Sequence, residues 1–128
     1  MRRSILVLSV LWLLLVASCG EKKADPSKIT VATNLVTNKD FEKGIAMLDD
    51  MGKSSPNDEM LKKAQVDAHI KYGNYFMYES TLPPKEKYPS ALRQYRIAAA
   101  IEPTNAEAKQ NISLIEGIYN QMGRTIPN

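Results

Sequence analysis

Apolar residues are distributed along this chain in two regimes. Ile5 to Ala17 run apolar almost without interruption behind Arg2 and Arg3. From Ile29 onward, apolar positions recur every three or four residues, as they do along the buried face of an amphipathic helix. This second regime predicts five helices, over about 27–37, 40–52, 57–80, 87–101 and 105–122. Side chains able to accept from free N–H groups stand at several of their starts: Asn38 or Asp40, Asn57 or Asp58, and Asn105. Glu59 and Glu107 fall in first turns, where negative charge is favoured. Between the third and fourth helices, Thr81-Leu82-Pro83-Pro84-Lys85-Glu86-Lys87 is expected to be a loop, its double proline excluding helix.

The first regime is a different object. This thirteen-residue run, broken only by Ser9, falls short of the roughly 20 that span a bilayer as a helix, so it reads as a signal-peptide core. It ends in Val16-Ala17-Ser18-Cys19, which resembles the lipobox of bacterial lipoproteins: an aliphatic residue, two small ones, then Cys. The resemblance implies cleavage before Cys19, a diacylglyceryl thioether on its sulfur and a further acyl chain, such as palmitate, on the new amino group. A plain secretory peptide that happens to contain Cys, or an uncleaved anchor, is the alternative. On the lipoprotein reading the chain divides into a cleaved signal (1–18), a lipidated Cys with its tether (19–27), a helical domain (28–122) and a tail (123–128). The polar stretch Glu21 to Lys28 is expected to act as a leash, its eight or so residues reaching some 25 Å. Two acyl chains suffice for stable membrane anchoring where one does not. Gly20 is not the Asp that retains lipoproteins at the inner membrane in enteric-type bacteria. By resemblance this favours the periplasmic face of the outer membrane.

The helical regime repeats. Phe41, Gly44, Leu48, Met51 and Pro56 are matched, at identical spacings, by Tyr88, Ala91, Tyr95, Ala98 and Pro103. Steps of three and four keep these side chains on one helix face, the small residue admits a neighbouring helix, and the proline stops the helix. The order resembles the second helix of a tetratricopeptide repeat. Tyr72-Gly73 with Phe76 is similar to the Leu-Gly-x-x-Tyr element of the family's first helix, and Val31-Ala32 with Leu35 is a weaker copy. The resemblance spans about residues 26–122 and implies an all-α fold: antiparallel helix pairs of a short α-solenoid, two repeats closed by a capping helix. The 47 residues between the two prolines exceed the family's 34, an excess attributed to a long third helix and the loop after it. An irregular five-helix bundle without true repeats is the competing fold. In the last helix Ala108, Ile112, Ile115 and Tyr119 form the apolar face, and a polar opposite face suits a terminal cap.

Such repeats bind other proteins along the surface lined by their first helices. By that analogy Ile70, Asn74, Met77 and Tyr78, with Thr33 and Val36, would line a groove for a peptide. The family's carboxylate clamp is not expected, because Ile29, Thr33 and Ile70 stand where it uses other residues and only Asn74 agrees. Tyr72, Tyr75 and Phe76 read as core against the helix of Tyr88 to Ala98.

Composition narrows the remaining choices. Without Arg2 and Arg3, 15 of the 17 basic residues face 14 acidic ones, for a net charge of +1. Neither a basic cluster nor strong net charge speaks for nucleic acid. The lone Cys permits no intramolecular disulfide, so the domain rests on core packing. Catalysis finds few residues: His69 is the single histidine, Ser54, Ser55, Ser80, Ser90 and Ser113 lack a nucleophile motif, and no phosphate loop or metal-ligand spacing is present. His69 is expected to be partly buried or on the surface without a role, and the Asp49-Asp50 pair to face water. No enzyme activity and no cofactor beyond the covalent lipid are expected. The expected function is a membrane-anchored protein–protein interaction module of the bacterial cell envelope, serving an envelope, pilus or secretion assembly. The alternative is a structural, homo-oligomeric envelope scaffold.

Overall fold

A computed structural model describes residues 20–128, so the signal segment and Cys19 lie outside the described residues. Every element among the described residues is helical: α1 (Pro26–Thr37), α2 (Phe41–Ser54), α3 (Glu59–Asn74), a π-helical turn (Tyr75–Glu79), α4 (Pro84–Ile101) and α5 (Ala106–Gln121). Connections of three or four residues force successive helices to run antiparallel. α1 pairs with α2 and α3 with α4; α3 also packs on α2, and α5 on α4. The start of α1, the α2–α3 turn and the α4–α5 turn therefore meet at one pole. The opposite pole holds the α1–α2 turn, the π turn and the end of α5.

Capping explains most boundaries. Asp25 accepts from Ser27 N–H at the start of α1. Asp58 accepts from Met60 and Leu61 N–H at α3, and Asn105 from Ala108 N–H at α5. Asp40 precedes α2 but makes no side-chain cap. The α1–α2 turn holds Lys39 at φ +68°, the left-handed conformation that ends helices and that costs a non-glycine residue energy. The Lys39 ammonium pairs with Glu79 of the π turn.

The expected loop at 81–87 is largely helix, because α4 begins at Pro84. Proline at the first helical position has no N–H that the helix needs, and its φ is already helical. Pro83 ahead of it is extended (φ −65°, ψ 155°), as a residue before proline prefers. Pro89 lies further inside and removes one bond, to the Lys85 carbonyl. The long third helix divides. Its α-helical part stops at Asn74, and a wider turn follows in which Ser80 N–H donates to the Tyr75 carbonyl at 2.8 Å. That extra residue shifts the phase of the apolar face.

The core runs the length of the stack. Ile29, Ala32, Val36, Phe41, Leu48 and Leu61 fill the space among α1, α2 and α3. Val66 and Ile70 meet Ala98 and Ala108. Met77, Leu92, Tyr95, Ile115 and Tyr119 join the π turn to α4 and α5. Fully burying a side chain such as Leu48 or Ile115 contributes about 1.5–3 kcal/mol.

Three of the five spaced pairs share an environment and two do not. Leu48 and Tyr95 are fully buried, Gly44 and Ala91 are buried, and Pro56 and Pro103 each stand two residues past the end of their helix. Phe41 is buried while Tyr88 is half-buried, and Ala98 is buried while Met51 is half-buried. A Cβ on Gly44 would lie 2.7 Å from the Ala32 carbonyl oxygen and 2.6 Å from Val36 Cγ2, so α1 and α2 touch there backbone to backbone. In the second pair a comparably close approach is at Gly73, on the first helix of the pair and not at Ala91: a Cβ there would meet the Tyr95 ring at 2.6 Å.

Two expected boundaries move. The leash ends early: Ala24 is buried and its N–H donates to Asp58 Oδ2 at 2.8 Å, and α1 starts two residues later. The tail is tied down. Ile126 packs against the α4–α5 core, and the Arg96 guanidinium donates to the Pro127 carbonyl at 2.7 Å.

Candidate partner-binding surfaces

The residues assigned to a peptide groove do not form one surface. Thr33 and Val36 edge a cleft of about 170 Å³ between α1 and α3, with Met60, Lys63 and Lys71 along its other wall. Ile70 is buried against Ala98 and Ala108. Asn74 accepts the Tyr95 hydroxyl at 2.6 Å and donates to Glu107 at 3.2 Å. Met77 is part of the α4–α5 core. Of the six, Tyr78 is the one with most of its side chain in water, 67% exposed. The cause is α5, whose first turns reach Asn74 and Ile70 and cover the side of α3 that a groove would need. Ile70 and Met77 are core, and Asn74 is an interhelical link.

A wider cleft lies on the opposite side of α3, between α2 and α4, with a volume of about 510 Å³. Tyr72, Phe76 and His69 form its floor, Ile45, Glu42 and Asp49 one wall, and Arg93, Gln94 and Ile97 the other. Its aromatic end is a stack. Phe41 lies over Tyr72 with ring centroids 4.7 Å apart and an interplanar angle of 11°, and Tyr72 meets Phe76 at 4.6 Å. Tyr75 leans on Phe41 at 5.3 Å. Tyr72 and Tyr75 therefore pack against α2, not α4 as expected, whereas Phe76 does reach the α4 core. Burial pushes the Tyr72 hydroxyl above its ordinary pKa, and the neighbouring Glu42 carboxylate adds to this. Tyr95 is raised more strongly, again chiefly by burial.

His69 sits deeper than expected, 3% exposed. One ring nitrogen, Nδ1, is 2.7 Å from Gln94 Oε1, and Nε2 is 4.0 Å from Asp49 Oδ1. Asp49 in turn accepts from Gln65 Nε2 at 3.1 Å. The acidic pair at the end of α2 thus splits: Asp50 faces water beside Lys53, and Asp49 closes a polar bridge over α3. Carboxylates near His69 along the chain, Asp67 and Glu79, are not its partners. The partner came from twenty residues away, and only the pairing of α2 with α3 brings it in.

Among the described residues no group of three or more His, Cys, Asp or Glu is gathered as a metal site, and no helix is long and apolar enough to cross a membrane. No known protein family, curated protein or solved structure matches this chain.

Proposed function

We propose that this chain is a lipid-anchored interaction module of the bacterial cell envelope, tethered through Cys19 and built as a short tetratricopeptide-like stack. The observation that supports it best is the equivalence of the two helix pairs. Gly44 and Ala91, Leu48 and Tyr95, and Pro56 and Pro103 fall at the same places in consecutive antiparallel pairs, as a stacked repeat requires. α5 then covers the last pair with Ala108, Ile115 and Tyr119.

The partner surface is the α2–α4 cleft, in place of the divided inner groove. It has an aromatic floor ending in His69, an exposed Ile97 on its rim, carboxylates on one wall and Arg93 on the other. Such a lining suits an extended segment of another protein whose apolar side chains are flanked by charge. Crosslinking in intact cells followed by mass spectrometry tests this. One defined envelope protein should be recovered, and Ile45→Glu with Ile97→Glu should abolish its recovery. Self-contacts alone, indifferent to those changes, would support a homo-oligomeric scaffold instead. The anchor is tested separately: Cys19→Ala should leave the precursor uncleaved and free of labelled palmitate.

A further inference from the structure

Ala24 is where the domain takes hold of its own tether. Its side chain is 9% exposed, and its N–H reaches across 34 residues of sequence to Asp58 Oδ2. The other oxygen of the same carboxylate caps α3 through Met60 and Leu61 N–H. One residue further, Asp25 caps α1. The chain is thus part of the rigid body from Ala24 onward, and only Gly20 to Lys23 separate it from Cys19. Five Cα–Cα steps from Cys19 to Ala24 reach at most about 17 Å. α4, with 18 residues, is itself about 27 Å long. The free tether is shorter than the body it holds.

From this we infer that the pole carrying Ala24, the α2–α3 turn and the α4–α5 turn is a membrane-facing surface, held against lipid headgroups by the Ala24–Asp58 latch. This rests on acylation of Cys19. The opposite pole, with Lys39, Tyr78 and the start of α4, is then carried about one helix length from the bilayer. Both clefts stand with their long axes across the gap, open to partners from the side. The charges of the near pole fit apposition without strong attraction. Lys53 is paired with Asp50 and Lys62 with Glu59, and Lys22 and Lys23 lie on the tether itself, so the attraction they add to anionic headgroups pulls in the same direction as the tether.

The test uses full-length acylated protein in vesicles containing a nickel-chelating lipid, with a nitroxide placed at Asn57→Cys on the near pole or Lys85→Cys on the far pole. Acylation occupies the Cys19 thiol, so labelling is confined to the introduced cysteine. Relaxation by headgroup nickel should be several-fold stronger at position 57 than at 85. A long Gly-Ser insertion after Gly20 should erase most of that difference, and Asp58→Ala should reduce it. Equal relaxation at both positions in protein that floats with the vesicles would overturn the orientation while sparing the anchor. Protein that does not float would overturn the anchor, and the orientation with it.

Discussion

Two glycines in helix interiors should respond in opposite ways to the same substitution. Adding a methyl group at Gly117, on α5, meets nothing within 4 Å. The change there is one of helix propensity alone, and Ala should stabilise by about 0.5–1 kcal/mol. At Gly44 the same propensity gain is set against a collision. The new Cβ would stand 2.7 Å from the Ala32 carbonyl oxygen and 3.0 Å from Val36 N, both backbone atoms of α1, as well as 2.6 Å from Val36 Cγ2. Backbone cannot rotate aside as a side chain can, so α1 and α2 must separate along the face holding Ala32, Val36 and Leu48. Overpacking of that kind costs typically 1–3 kcal/mol; with two backbone atoms in the way the cost belongs to the upper part of that range, about 2–3 kcal/mol, which leaves a net destabilisation of about 1–2 kcal/mol after the propensity gain. For a domain this size that lowers Tm by roughly 5–10 °C, against a rise of a few degrees for Gly117→Ala. Thermal unfolding of residues 20–128 followed by circular dichroism measures both. A Gly44→Ala variant as stable as the parent would mean that α1 and α2 do not approach as closely as described, and the matched small residues would lose their meaning.

Three further outcomes follow from the packing. Gly73→Ala should destabilise by about 1–3 kcal/mol in urea denaturation, because the added Cβ meets the fully buried Tyr95 ring at 2.6 Å. Tyr95→Phe should cost about 1 kcal/mol by the same measurement, since it removes the hydroxyl bonded to Asn74 at 2.6 Å. Asp58 is held below the usual carboxylate range, first by the Ala24 N–H and then by Leu61 N–H. A depressed folded pKa means that its contribution is complete above the unfolded pKa near 4 and fades as pH falls through the folded value. Tm should therefore fall as the pH drops below about 4, and Asp58→Asn should flatten that part of the profile; an unchanged profile would sever the latch from stability.

The helices were legible because their signals are local. Periodicity, Asp58 and Asn105 as caps, and the Phe41 and Tyr88 series need only a turn or two of sequence, and each fell within a few residues of its expected place. What failed depended on context. Pro83-Pro84 marks both a loop and a helix start, and only the continuation of α4 decides which. The π turn has no local signature beyond an aromatic run, yet its extra residue turns Met77 inward and leaves Tyr78 in water. The groove at Ile70, Asn74 and Met77 assumed an open side of α3, and the position of α5 closed it. Ala24 looked like tether because a small residue in a polar stretch carries no sign of a bond formed across 34 residues.

His69 shows how burial changes what a mutation can report. On the surface, an alanine there would have tested for hydrolytic chemistry cleanly, since nothing else would respond. In the fold, the imidazole is 3% exposed, bonded to Gln94 and 4.0 Å from Asp49. Alanine would open a cavity between α3 and α4 and strip Gln94 of its partner, a loss of about 1–3 kcal/mol before any function is considered. A growth defect in His69→Ala would therefore not speak for catalysis. Asp49→Asn is the better probe: it keeps the acceptor for Gln65 and the packing around His69, and removes only the charge beside the ring. If that variant folds as the parent does and still loses its crosslinked partner, the charge on the α2 wall of the cleft is part of recognition. If it keeps the partner, recognition lies with the apolar rim at Ile45 and Ile97, and the polar bridge over α3 serves to hold two helix pairs together.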